Sequence, residues 1–380
     1  MDSFIMHNPT RVHFGVGTIE RIGPELQSAG VRKCLLVAGG GSIRANGVYE
    51  QVSKSLRGSR IDWTEAWGVQ ANPTLEKVYE LIALAKTEQV DAILAVGGGS
   101  VIDSAKATAA GFYLRDVWNA FTGVERIKQA LPVFTVLTLS ATGSEMNGNA
   151  VITHSKEQKK WSIGSPLLYP RVSIIDPSVQ SSLPWRQTVN GALDATAHIL
   201  EYFFMDSPAE TTRAINVALL KTITSATNRL QQNPADLVAR GNLAWCATLA
   251  LNGISGAGLQ GGDWACHSIE HAFSVLDPRI AHGEGLGVIF PAWIEYVSER
   301  QPTRFEYWAK NVHGADSVSH ALRHFRDQIE AWGSATCLRD LGIREDQLSQ
   351  LRDIIMQSPG LGRIIEFGTA DIEALLMLAF

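Results

Sequence analysis

The chain has 380 residues, 45% of them hydrophobic and 19% charged, with a formal net charge of −5. That length leaves room for two domains, each with its own core, and the composition is that of an ordinary globular protein. The acidic balance and the lack of a basic stripe exclude a nucleic-acid binder, and no apolar run approaches a membrane span. Residues 1–9 show no charged segment followed by an apolar one, so no secretion signal is expected. Cys34, Cys246, Cys266 and Cys337 form no C-x-x-C pair and are expected to be reduced thiols in a cytoplasmic protein.

The first half alternates strand-like and helix-like segments. Arg11 to Gly15 reads as an edge strand, and Thr18 to Ala29 has helical apolar spacing. Lys33 to Ala38 is a continuous apolar run of the kind found in buried parallel strands, ended by the cluster Gly39-Gly40-Gly41-Ser42. Helical spacing returns from Val48 to Leu56, Ile61 to Trp67 reads as a strand, and Leu75 to Glu88 is an amphipathic helix with Pro73-Thr74 as its start signal. Asp91 to Val96 is the next strand, followed at once by Gly97-Gly98-Gly99-Ser100 and an alanine-rich helix to Phe112. Pro132 to Leu137 runs into Thr138-Leu-Ser-Ala-Thr142-Gly-Ser144, residues 149–153 and 161–163 read as a hairpin, and Val172 to Asp176 is a last strand. This β–α alternation predicts an open, mostly parallel sheet flanked by helices, with ligands beyond the carboxyl ends of its strands. After Pro177 only helical patterns continue: residues 186–204, 210–231, 235–253, 263–276, 286–299 and others beyond. The expected division is a Rossmann-like α/β domain over residues 1–180 and an all-α-helical domain over residues 181–380.

Glycines between a strand and a helix expose backbone amides at a helix N-terminus, an arrangement suited to pyrophosphate. Gly97, Gly98, Gly99 and Ser100 fit that role, and Asp103, one turn on, either orients the loop or faces the cofactor. At Gly39, Gly40 and Ser42 there is no acid to accept from ribose hydroxyls; open backbone, Ser42 and Arg44 favour NADP(H). Thr138 and the hydroxyls after it offer further cofactor contacts, and Lys160 is a candidate for the ribose or phosphate.

Asp194 and His198 lie four residues apart, so a helix presents both on one face. His267 and His271 form a second such pair, and His282 follows soon after. One divalent ion can draw two ligands from the first helix (Asp194, His198), one from the second (His267) and one from the turn beyond it (His282). Such a set suits Zn²⁺ and Fe²⁺ alike. The ion would polarise a substrate oxygen while a nicotinamide exchanges hydride with carbon. His271 is then a support behind the ligands, a proton relay, or a packing residue.

These stretches together resemble the iron-containing (group III) alcohol dehydrogenase family, in its NADP-dependent aldehyde reductase and butanol dehydrogenase branch. The landmarks are Asn8 to Gly15, Asn72-Pro-Thr, Gly97 to Asp103, Leu137 to Glu145, Gly191 to His198, Asp263 to His271 and His282-Gly-Glu-Gly-Leu. The resemblance covers nearly the whole chain. It implies a Rossmann-like domain followed by a helical one, a metal on Asp194, His198, His267 and His282, and His271 near nicotinamide and substrate. It further implies cofactor contacts from Gly39, Gly40, Ser42, Asn72, Gly97 to Ser100, Thr138, Thr142, Asn149, Lys160 and Leu183. Small aldehydes and primary alcohols as substrates and a homodimer are implied as well. The segment 272–281 departs from the family pattern, so substrate range is not carried over. The competing readings are a glycerol-type polyol dehydrogenase, a dehydroquinate-synthase-like lyase, disfavoured by the few basic residues near the ligand motifs, and a metal-binding scaffold without turnover.

Overall fold

The apolar runs become strands because each side of the sheet they form is covered. In chain order the strands are β1 (Arg11–Phe14), β2 (Lys33–Ala38), β3 (Asp62–Ala66), β4 (Ala92–Gly97), β5 (Val133–Leu137), β6 (Asn149–His154), β7 (Lys159–Gly164) and β8 (Val172–Ile175). Between them lie α1 (Ile22–Ser28), α2 (Ser42–Ala45), α3 (Val48–Gly58), α4 (Leu75–Thr87), α5 (Gly99–Gly111) and α6 (Trp118–Phe121). The rest of the chain is helical: α7 (Trp185–Phe203), α8 (Glu210–Gln232), α9 (Leu237–Ala250), α10 (Ala265–Leu276), α11 (His282–Ser298), α12 (Thr303–His313), α13 (Val318–Ala331), α14 (Leu348–Ile355) and α15 (Thr369–Ala379). These are the elements of a computed structural model that describes residues 1–380.

The chain divides into two compact units. One holds His7–Leu183 together with Ala235–Ala244; the other holds Met1–Met6, Pro184–Pro234 and Trp245–Phe380. The main boundary falls after Leu183, three residues beyond the expected split at residue 180, and two segments cross over. Ala235–Ala244, at the start of α9, groups with the sheet, and the first six residues group with the helices.

In the first unit six parallel strands stand in the order β1-β8-β5-β4-β2-β3, and β6 and β7 form a separate antiparallel pair. Side chains alternate between the faces. Cys34, Leu36 and Ala38 of β2 join Leu94 and Val96 of β4 under α1 and α3, whereas Leu35 and Val37 join Ile93 and Ala95 under α4 and α5. A one-residue slip of register would exchange the two sets, so the pairing Leu36↔Leu94 is strongly specified. Burying each such aliphatic side chain contributes about 1.5–3 kcal/mol. Chain direction across the sheet reverses between β2 and β4: β3 lies to one side of β2, while β4, β5 and β8 lie to the other. A crevice beyond the strand ends opens at such a reversal, and both glycine clusters flank it.

In the second unit α7 is buried along most of its length, Asp194, His198 and Glu201 included. Its apolar residues pack on all sides, as in a core helix. The helix α11 begins at His282 itself. His282 is therefore a first-turn residue of a helix and not part of a preceding turn, and Ala281, with extended backbone, serves as the N-cap.

Candidate metal centre and cofactor loops

Side chains from α7, α10 and α11 converge in the helical unit. Ligand atoms of Asp194, His267 and His282 all lie within 4.8 Å of one another. His198 stands beside them, its Nδ1 3.3 Å from Asp194 Oδ1 and its ring 4.6 Å from that of His267. His282 Nε2 is 3.7 Å from Asp194 Oδ1. The four residues expected to share an ion are thus neighbours, three of them in one tight set.

Two buried carboxylates back the imidazoles. Glu201, one turn beyond His198 on α7, meets His267 Nδ1 at 2.7 Å and also accepts from the backbone N–H groups of His267 and Trp264. Trp264 adopts a left-handed backbone, φ 66°, rare outside glycine, and its N–H reaches Glu201 at 2.6 Å at the start of α10. Glu270 contacts His282 Nδ1 and accepts from Ser274 Oγ at 2.7 Å. With Nδ1 of His267 engaged by Glu201 and Nδ1 of His282 by Glu270, their Nε2 atoms would be the ones to ligate a bound metal, the usual arrangement behind such an ion. Burial sets the protonation states. It pushes the His198 imidazole down to about 3, opposed by Asp194 and reinforced by His267 and His282, so this ring is neutral near pH 7. Burial raises Glu201 to about 8, against the pull of the backbone N–H groups of His267 and Trp264.

Asp194 Oδ1 and His198 Nδ1 are buried without a hydrogen bond. A buried polar atom left so costs about 1–3 kcal/mol. A cation between them relieves that cost, and one carboxylate with imidazole nitrogens is a donor set that Zn²⁺ or Fe²⁺ accepts. The residues present therefore fit a divalent ion. Glu270, His271 and His282 form a second close group that shares His282. In the first group His282 can offer Nε2 while Nδ1 stays on Glu270, which favours it. His271 is near but distinct, its ring 5.5 Å from that of His282.

In the sheet unit the glycine turns are tightly built. A Cβ on Gly99 would come within 2.4 Å of Thr142 Oγ1, so only glycine lets the first turn of α5 meet the loop after β5. Thr138 joins the two strand ends, its N–H bonding the Gly97 carbonyl at 3.0 Å. Asp103 uses one oxygen on Ser144 Oγ (2.6 Å) and the other on the Val151 N–H (3.0 Å). That makes it a brace for the loop, one of the two roles its position left open. Lys160 is buried, with Nζ 2.9 Å from Asn72 Oδ1, so the structure brings two expected cofactor residues together. Asn149 opens β6, Thr142 Oγ1 accepts from the Ser144 N–H, and Leu183 closes the short turn before α7. Gly39 and Gly40 follow β2, and Ser42 begins α2.

Two features of this unit escape a reading of the chain. Lys106 on α5 is fully buried, its Nζ within 2.8 Å of Ser144 Oγ and of the Asn147 and Asn149 carbonyls. Burial lowers its ammonium to about 8, against the pull of Asp103 and Glu145. The only signal is a lysine, with Asp103 the one other charged residue, on a helix of small and apolar residues. The second feature is Glu65 on β3, whose carboxylate accepts from Tyr49, Trp63, Trp67 and Arg44. Burial would raise this carboxyl, but the bonds from Tyr49, Trp67 and Trp63 and the charge of Arg44 hold it below its ordinary value.

The iron-containing alcohol dehydrogenase family model matches residues 9–177, and the model of the C-terminal part of the Fe-containing alcohol dehydrogenase family matches residues 188–380. The chain is 36% identical to the probable NADH-dependent butanol dehydrogenase 1 of Bacillus subtilis, over 99% of both chains. It is 33% identical to the NADPH-dependent aldehyde reductase YqhD of Escherichia coli, over 90% of each. The crystal structure of NADH-dependent butanol dehydrogenase A from Thermotoga maritima superposes with a TM-score of 0.97 at 48% identity, covering 100% of this chain and 99% of that one. Two matched family models, full-length relatives and a shared fold lead to one conclusion: the chain belongs to the iron-containing alcohol dehydrogenase family and is an NAD(P)-linked alcohol/aldehyde oxidoreductase.

Proposed function

We propose that the chain interconverts short-chain aldehydes and primary alcohols with NADP(H), using one divalent ion, Zn²⁺ or Fe²⁺, on Asp194, His198, His267 and His282. The observation that carries this reading is the buried group of acceptors in the helical unit, with Glu201 and Glu270 behind two of its imidazoles. When bound, the ion supplies Lewis-acid polarisation of the substrate oxygen, and the nicotinamide supplies or accepts hydride. The protein's part is to hold and orient. Glu201 fixes the ring of His267 and the start of α10, and Glu270 fixes the ring of His282. Asp194 provides the negative charge that a dication requires beside the three imidazoles. His271, one turn beyond His267, carries the proton that the alcohol oxygen gains or loses. On the sheet unit, the amides of Gly97 to Ser100 receive the pyrophosphate, and Thr138, Thr142, Asn149, Lys160 with Asn72, and Leu183 line the rest of the cofactor. Gly39, Gly40 and Ser42 take the 2′-phosphate, with no acid among them to repel it. A homodimer follows from the family resemblance.

The test is direct. Metal-loaded protein mixed with butanal and NADPH should lose the nicotinamide absorbance, and NADH should serve less well. Absence of turnover with aldehydes, combined with oxidation of glycerol by NAD, would overturn the proposed substrate class.

A further inference from the structure

We infer that Glu65 sets how strongly this chain distinguishes NADPH from NADH, by fixing Arg44 beside the Gly39–Ser42 loop and offsetting its charge. The inference rests on the reading of that loop as the 2′-phosphate subsite.

Arg44 and Ser42 share the one-turn helix α2 at the carboxyl end of β2. Glu65 stands on the neighbouring strand, in register with Leu36 of β2. An acid near this end of the sheet would ordinarily accept from ribose hydroxyls and so select NAD. Glu65 is spent otherwise. One oxygen takes the Tyr49 hydroxyl and the Trp63 indole N–H (3.2 Å); the other takes the Trp67 indole N–H (2.8 Å) and Arg44 Nη2 (3.3 Å). Four donors match the roughly four lone-pair positions of a carboxylate, which leaves no acceptor for a ribose.

The same cluster pins Arg44. Its guanidinium lies 4.2 Å from the ring centre of Trp67 and 5.2 Å from that of Tyr49. The side chain is nevertheless 57% exposed. A planar cation stacked on an indole, with donors to spare, suits a phosphate dianion. The carboxylate beside it reduces the field a 2′-phosphate meets. Through a water-like dielectric, one such charge beside the loop weakens binding of a phosphate carrying one to two charges by about threefold to tenfold. Arg44 thus favours NADPH, and Glu65 keeps that preference modest enough for NADH to be used.

Calorimetric titration of the metal-loaded full chain with NADPH and with NADH gives the ratio Kd(NADPH)/Kd(NADH). Arg44→Ala should raise it about tenfold, the loss of a charge-assisted bond. Glu65→Gln should lower it at least about threefold, because the amide oxygen still accepts from one pair of the four donors and the stack on Trp67 still holds Arg44, while the negative charge is gone. Ser42→Asp, which puts a carboxylate into the loop itself, serves as the control and should raise the ratio. If Ser42→Asp moves the ratio while the other two stay within about twofold of the parent, or if Glu65→Gln raises it, the inference falls and the loop reading stands. If Ser42→Asp leaves the ratio unchanged, the loop reading fails and takes the inference with it.

Discussion

Burial acts on histidines and carboxylates with opposite sign, so pH dependence has to be argued one residue at a time. His313, packed against Trp308 with the rings 4.5 Å apart, is pushed down to about 4 by burial and further by nearby His324. Its unfolded value is about 6.5. Between those values the unfolded chain binds more protons, so the stability His313 contributes is complete above about pH 6.5 and is lost as pH falls toward 4. His198 acts in the same direction. Glu201, raised to about 8 by burial, acts in the opposite direction over an overlapping range. The parent's overall slope therefore mixes opposing contributions, and a difference isolates one. Relative to the parent, metal-free His313→Asn should gain Tm as pH is lowered from 7 to 5, although it starts lower at pH 7. A gap that stays constant over that range would show that His313 is not held neutral by its surroundings.

At the level of elements, the metal centre depends on how closely α11 approaches α7. Gly283 follows the ligand His282, and a Cβ there would lie 2.0 Å from the backbone oxygen of Asn190. Backbone cannot yield as a flexible side-chain end can. Gly283→Ala should therefore destabilise the protein by at least the ~1–3 kcal/mol typical of overpacking. It should also weaken metal binding, because His282 moves with α11. Calorimetry and chelator competition measure the two effects, and an alanine variant with parental Tm and metal affinity would refute the close approach. Elements also mark what was legible in the chain. The strands β2, β4 and β5 showed as buried apolar runs, and Thr74 caps α4 as its place before the amphipathic stretch suggested. Asp194 and His198 announced themselves by helical spacing. The carboxylates behind the ligands did not: Glu201 meets His267 across 66 positions, and no local spacing distinguishes it from other acids on a helix. Glu65 escaped for the same reason, since it approaches Arg44 through sheet register, and Lys106 because its partners come from a loop about 40 residues on.

For the molecule as a whole, the two units carry different chemistry. The sheet unit offers backbone amides and small residues at a reversal of strand order, which suits a dinucleotide. The helical unit offers a largely buried group of imidazoles and one carboxylate, which suits a dication. No helix is long and apolar enough to cross a membrane. The proposed activity depends on a single ion shared by Asp194, His198, His267 and His282. X-ray absorption at the metal edge of stoichiometrically loaded protein, compared with the Asp194→Ala variant, tests it most directly. Three imidazole nitrogens and a carboxylate oxygen are expected at about 2.0–2.2 Å in the parent, with loss of the bound ion in the variant. An unchanged spectrum from an Asp194→Ala variant that still holds its ion, as expected if Glu270, His271 and His282 were the ligands, would contradict it.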